Sequence, residues 1–243
     1  MPVSDKNPLM RMVDKLAEHA KVSDEARAEI LQMPYVARQF EPGSYFVREG
    51  ALADKCGILM TGLAVCQKTS GAGDRQIVSI KIAGDILGLQ NLYLNTPDHN
   101  IQALTQCDII IVASKVLKTA SEAYPAVSHA ITLMMLKESS MLRELLLNIG
   151  RRDALARVAH FLCEFAIRID GPDKINNRSF ELPMTQEQLG DALGLTAVHI
   201  NRMLKILARD GLIARNGKTI RFIDWDRLQD IADFSTRHLH LHQ

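Results

Sequence analysis

Apolar positions in this chain fall into three successive regimes. Leu9, Met12, Val13, Leu16 and Ala20 recur at helical spacing, and a second short helix is predicted near Ala26–Met33. From Phe40 to about Ala113 the pattern changes to short β-type runs. These are Ile58-Leu59-Met60, Leu63-Ala64-Val65-Cys66, Gln76-Ile77-Val78-Ser79-Ile80 and Ile109–Val112. Turns are marked by Pro42-Gly43, Glu49-Gly50, Thr61-Gly62, Gly71-Ala72-Gly73 and Ala83-Gly84-Asp85. Many short strands between regular turn signals predict a sandwich or barrel of jelly-roll size.

A long helix follows, with Pro125 suited to its start and Gly150 to its end. Ile131, Met135, Leu142, Leu145 and Ile149 recur at spacings of three and four, with Glu138 as a polar interruption. Such a seam fits a coiled-coil dimer interface, and a helix packed on its own barrel is the alternative. Met134, Met141 and Leu146 flank the seam, which gives apolar surface enough for both a barrel and a partner chain. Ala154–Ile167 reads as a further helix and Asp170–Ser179 as a surface loop. A compact helical segment from Thr185 to Gly211 is then followed by a hairpin, Leu212–Arg215 and Lys218–Phe222, with Asn216-Gly217 predicting a type I′ turn.

The helical segment carries the chemistry. Thr185-Gln186-Glu187-Gln188 is a capping-box sequence. Leu189, Ala192 and Leu193 give the helix a buried side, Gly194 allows a sharp turn, and Thr196 caps the next helix. There Ile200, Met203, Leu204 and Leu207 share one face, while Val198, Arg202, Lys205 and Arg209 point the other way. Helix, glycine turn and second helix with a basic outer face make a helix-turn-helix. An apolar β-branched residue among cations suits a thymine methyl in a major groove, beside an arginine able to grip guanine; a chance exposed valine is the alternative.

Composition narrows the class. The chain has 243 residues, 47% hydrophobic and 23% charged, which excludes collagen-like, disordered and disulfide-scaffold proteins. Its apolar runs are too short to span a bilayer. The opening Met1–Asn7 has no charged n-region or apolar h-region, and Cys56, Cys66, Cys107 and Cys163 form no CxxC pair, so a cytoplasmic protein with reduced thiols and no membrane partner is expected. Net charge is only +1, yet between Thr196 and Phe222 six basic residues stand against the single acid Asp210. That local excess is the footprint of a phosphate-binding surface, or of a solvated charged face.

Taken together, these motifs resemble the Crp/Fnr family of bacterial transcription regulators over nearly the whole chain. Phe40-Glu-Pro-Gly43, Val47-Arg-Glu-Gly50, Gly57–Gly62 and Gly84-Asp85–Gly88 are similar to the family's β-roll turns, and Tyr124-Pro125 stands where its dimerisation helix begins. Met184–Gly190, Gly194-Leu-Thr196 through Leu204, and Gly211-Leu-Ile213 are similar to its winged helix-turn-helix. The resemblance implies an α+β protein: an N-terminal β-roll (double-stranded β-helix or jelly roll) with flanking helices over 1–122, a dimerisation helix over 123–150, and a winged helix-turn-helix over 151–243. It implies a homodimer that binds double-stranded DNA at a two-fold pseudo-palindrome and works with RNA polymerase, not an enzyme. The expected DNA-facing residues are Thr185, Thr196, Ala197, Val198, His199, Asn201, Arg202, Lys205 and Lys218. Arg202 matches the family's guanine-contacting arginine, and Thr196 a phosphate-contacting cap. Val198 replaces a frequent glutamate, so the family's usual half-site is not expected.

The sensor text departs from the family's known effectors. Cyclic-nucleotide binders carry a Gly-Glu for the ribose and an Arg-Ser for the phosphate; here Gly88 precedes Leu89, and Thr96–Ala103 holds no arginine. A buried phosphate without its cation is strongly disfavoured. No cysteine precedes Cys56, which leaves no N-terminal iron–sulfur cluster. His99 and His129 are available to ligate haem but read as ordinary surface or satisfied histidines; His238-Leu-His-Leu-His242 could hold a metal, yet at a chain end it reads as a frayed tail, so no metal site and no cofactor are expected. Leu89, Leu92, Leu94 and Leu142, with Arg143 nearby, would face either a cavity for an apolar effector or a roll filled by its own side chains, and the effector stays unnamed. A metal oxygenase on such a roll would need clustered ligands, whereas residues 40–115 hold only His99. A winged helix serving protein contacts alone is the other rival.

Overall fold

The computed structural model describes residues 7–52, 54–171 and 179–241. Most of the expected Asp170–Ser179 loop, the Met1–Lys6 opening and His242 lie outside the described residues. The fold is α+β, and the chain divides into two compact units, one comprising residues 1–68 and 79–139, the other residues 69–78 and 140–242.

The first unit opens with α1 (Met10–Ala17) and α2 (Asp24–Leu31). Helix α1 buries Met12, Val13 and Leu16 on the stripe its spacing predicts. Helix α2 starts where the Ser23 hydroxyl accepts the Ala26 amide at 3.2 Å, with Asp24 and Glu25 in the first turn to complement the helix dipole. Eight strands follow: β1 (Tyr35–Phe40), β2 (Tyr45–Val47), β3 (Lys55–Thr61), β4 (Ala64–Thr69), β5 (Arg75–Lys81), β6 (Ile86–Leu87), β7 (Asn100–Ala103) and β8 (Cys107–Ala113). They form two four-stranded sheets, ordered β1-β8-β3-β6 and β2-β7-β4-β5. Gly62, at the β3–β4 turn, has φ +85°, and a Cβ there would stand 2.1 Å from the Gln106 carbonyl oxygen, so only glycine fits.

Helices α3 (Ser114–Ala123) and α4 (Pro125–Arg151) complete this part of the chain. A core cluster joins α1, α2 and α3 to the β3/β8 face: Leu9, Leu16, Ile30, Ile58, Val112, Leu117, Val127 and Ile131 all belong to it. Leu89 and Leu92 belong to it as well, at 5% and 3% exposure. Their side chains thus pack into the cluster with the helices. Leu142 and Arg143, the other two expected pocket residues, are exposed on α4.

The residues of the seam expected on α4 differ in their burial. Ile131 is only 1% exposed, inside the core, and Met135 packs against that core. Leu145 and Ile149 are half-buried. The apolar residues left exposed are Leu136, Leu142, Leu146 and Leu147, which fall on one side of the helix at about 100° per residue. Glu138 is more than an interruption, since it forms an ion pair with the buried Lys81 of β5. Burial opposes the Lys81 charge, but the facing carboxylate outweighs it and raises the ammonium pKa, while Lys81 holds the Glu138 carboxyl low.

The second unit is built on α5 (Ala154–Asp170), whose Asp153 cap accepts the Leu155 and Ala156 amides at 2.9 Å each. Around it lie β9 (Ser179–Glu181), α6 (Gln186–Leu193), α7 (Ala197–Arg209), β10 (Ile213–Asn216), β11 (Thr219–Phe222), α8 (Trp225–Ala232) and a short 3-10 turn, Arg237–Leu239. Strands β10, β11 and β9 form an antiparallel sheet in that order. An aromatic file, Phe165–Phe180–Phe222–Trp225, links α5 to this sheet and to α8 at centroid spacings of 5.7, 5.3 and 4.8 Å. Asn216 pairs with Thr219, so the hairpin loop is Gly217-Lys218, one residue later than the Asn-Gly reading. Gly217 alone takes positive φ there, at 59°, the pattern of a II′ turn in place of the expected I′.

Candidate nucleic-acid interface

The geometry of α6, the turn and α7 follows from local chemistry. The Gln188 amide donates to Thr185 Oγ1 at 3.1 Å, and the Thr185 amide donates to Gln188 Oε1 at 2.8 Å, closing the capping box. Gly194 ends α6 with φ 62°. Gly190, inside α6, faces the turn so closely that a Cβ would lie 2.3 Å from the Leu195 carbonyl oxygen. Thr196 Oγ1 accepts the His199 amide at 3.3 Å and lies 3.0 Å from His199 Nδ1, so the α7 cap is tied to the side chain one turn on.

Helix α7 is split cleanly between inside and outside. Ile200, Met203, Leu204 and Leu207 are buried. Val198 is 80% exposed, and His199, Arg202 and Lys205 are exposed beside it. Ala197 and Asn201 are half-buried at the same end. Thr185, Thr196 and Lys218 are exposed as well, Lys218 at the tip of the β10–β11 wing. All nine expected DNA-facing residues thus lie in the second unit, on the α6 cap, the α7 helix or the wing. Among the described residues, Arg202, Lys205 and Lys218 make no ion pair. Asp210, the single acid of this stretch, pairs with Arg209 at 2.8 Å; that hydrogen bond holds its carboxyl below the usual range and leaves the neighbouring cations unneutralised.

Arg157 was not singled out by its sequence context. From α5 its Nη1 donates to the Leu193 carbonyl at 2.9 Å, and its Nη2 to the Arg152 carbonyl at 3.1 Å. It satisfies a carbonyl at the end of α6 and so fixes the turn that aims α7. Gly190 was likewise missed, although its place four residues before Gly194 is the signal that two chain segments meet there.

The sensor-side chemistry weighed from sequence is quiet. All four thiols are buried. Burial pushes Cys56 and Cys66 up to about 12 and raises Cys107 and Cys163, which suppresses the reactive thiolate. His99 Nδ1 lies 2.8 Å from Asp98 Oδ1, and His129 is exposed. Among the described residues, no helix is long and apolar enough to cross a membrane.

Comparison with known proteins decides the family. The model of the Crp-like helix-turn-helix domain matches residues 156–231, and that of the cyclic nucleotide-binding domain matches residues 37–124. The chain belongs to the Crp/Fnr family. It is a Crp/Fnr-type transcription regulator with a DNA-binding helix-turn-helix, and its relatives are regulators, not enzymes. This Crp/Fnr protein is 29% identical over 218 residues to the transcriptional activator protein FnrL of Cereibacter sphaeroides, covering 88% of the chain and 86% of the relative. It is 28% identical to the nitrogen fixation regulation protein FixK of Rhizobium meliloti, covering 82% and 89%. Its fold is similar to that of FixK2 from Bradyrhizobium japonicum, with a TM-score of 0.76 at 23% identity over 84% of this chain and all of that one.

Proposed function

We propose that this Crp/Fnr regulator binds a pseudo-palindromic promoter site in duplex DNA as a homodimer, in the cytoplasm, and acts there on RNA polymerase. The observation that carries the reading is the outer face of α7, where an 80%-exposed valine stands beside Arg202 and Lys205, which make no ion pair among the described residues, over an apolar inner face. Such a face has no use within its own fold, and its shape and charge suit a major groove. The effector is not a cyclic nucleotide held by the usual ribose and phosphate clamp. Leu89 and Leu92 are spent in the core, which favours a roll filled by its own side chains.

Selection from a random duplex pool, with purified protein and nothing added, tests this. The expected result is a two-fold palindrome with half-site centres roughly 34–36 Å apart. Affinity should fall with salt at a log–log slope of about −0.9 for each phosphate neutralised. Recovery of no preferred sequence would refute specific binding by the free protein, and indifference to DNA at every salt concentration would refute the DNA reading itself.

The exposed ridge Leu136, Leu142, Leu146 and Leu147 supports the homodimer, because apolar side chains aligned on one helix face gain by meeting a second copy. Leu146→Asp is expected to shift the protein from dimer to monomer in sedimentation velocity and leave its far-UV circular dichroism unchanged. A parent protein that sediments as a monomer would refute the dimer.

A further inference from the structure

The DNA-facing surface makes no use of a polar cluster that α5 forms with the C-terminal turn. His160 and Glu164 stand one turn apart on that helix, and His238 comes from the Arg237–Leu239 turn. Atoms of the three able to ligate a metal lie within 4.8 Å of one another. His160 is 2% exposed and His238 6%, so the tail expected to fray is packed at this point.

Several contacts define what the cluster lacks. His238 Nε2 lies 3.1 Å from Glu164 Oε2. His160 Nε2 lies 3.1 Å from Glu144 Oε1, but not in a hydrogen-bonding direction, and among the described residues it is left buried with no hydrogen-bond partner. The arginines nearby do not fill that need. Arg152 Nη2 is engaged by Glu144 at 2.8 Å, and Arg168 Nη1 approaches Glu164 Oε1 at 4.0 Å, which leaves Oε2 turned to the histidines. The His160 ring stands 5.0 Å from Phe234 and 5.7 Å from His238, centroid to centroid, so the cluster has an aromatic wall.

We propose that His160, Glu164 and His238 hold a divalent transition-metal ion that fastens the C-terminal turn to α5. Two imidazoles and one carboxylate are the donors that zinc and its neighbours select, whereas magnesium and calcium take oxygen sets. Ligands about 2.1 Å from a tetrahedral ion stand roughly 3.4 Å apart, and the observed spacings of 3.1 Å and up to 4.8 Å reach that value by small side-chain rotations. The ion takes the place of the His238–Glu164 hydrogen bond, with the imidazole proton of His238 carried on Nδ1. It also gives the His160 ring the partner it lacks. Glu144, held by Arg152, sets a second negative charge beside it. This site departs from the expectation that the chain binds no metal.

The test is cobalt(II) titration of the full chain after stripping with a chelator. One cobalt per chain is expected, with visible d–d absorption that zinc abolishes by competition, and with a zinc-dependent rise in Tm. His238→Ala and Glu164→Gln should each weaken binding by about 100-fold or more and remove the Tm response. His240→Ala, whose ring contacts Ser140 at 3.2 Å instead, should leave both unchanged. Should His238→Ala fail to fold by circular dichroism, the milder Glu164→Gln decides. The proposal is overturned if stripped, folded protein takes up no cobalt, if Glu164→Gln binds as the parent does, or if His240→Ala abolishes binding.

Discussion

Arg202→Ala should abolish operator selection while leaving the protein folded. Arg202 is exposed on α7, with its helix anchored from beneath by Ile200, Met203, Leu204 and Leu207, so removing its side chain creates no cavity. On the proposed reading the variant loses a bidentate guanidinium contact, about 1–3 kcal/mol of base discrimination in each half-site. Over two half-sites this is about 2–6 kcal/mol, or roughly 30-fold to 10⁴-fold in affinity. Non-specific binding should persist, because the exposed cations Lys205, Arg215 and Lys218 remain available to phosphates. Mobility-shift titrations of selected and scrambled duplexes measure both quantities. Equal affinities of parent and variant for the selected site would remove Arg202 from the interface.

A single methyl group at Gly190 should damage the same activity by a different route. The added Cβ would meet the Leu195 carbonyl oxygen at 2.3 Å, and that oxygen is backbone in the turn between α6 and α7. It has no rotamer through which to escape, so the two helices must separate. Overpacking of this kind costs about 1–3 kcal/mol. For a unit of about 100 residues each kcal/mol lowers Tm by roughly 4–8 °C. Gly190→Ala should therefore unfold its unit well below the parent temperature in calorimetry, and at 25 °C show weakened binding to every duplex, since α7 is no longer held at its angle. Parent-like melting and binding would show that the turn has slack the geometry denies it.

The contrast between what the sequence revealed and what it concealed is physical. Thr185, Gln188, Gly194 and Thr196 each act on a partner within four residues, so their caps and turn are legible from spacing alone. The two faces of α7 are legible because cations and apolar residues separate at one angle. Helix α4 is apolar nearly all round, so no single stripe announces which side meets its own roll; the structure places Ile131 inside and Leu136, Leu146 and Leu147 outside. Leu89 and Leu92 were ambiguous for a related reason: apolar residues after a turn fill a core or line a pocket depending on helices distant in sequence. His238 reaches Glu164 across the whole helix-turn-helix, and no local pattern encodes that meeting. The wing turn slipped by one residue because Asn216 completes the strand ladder with Thr219.

The four masked thiols carry a consequence for how this protein can be watched. A buried cysteine is alkylated only during the moments when its surroundings open, so its labelling rate reads the free energy of that opening. Cys56, Cys66 and Cys107 lie in the first unit and Cys163 in the second. The chain therefore contains separate gauges of breathing for its two halves, with no foreign probe installed. Occupancy of an effector or of DNA becomes readable as the slowing of one gauge and not the other.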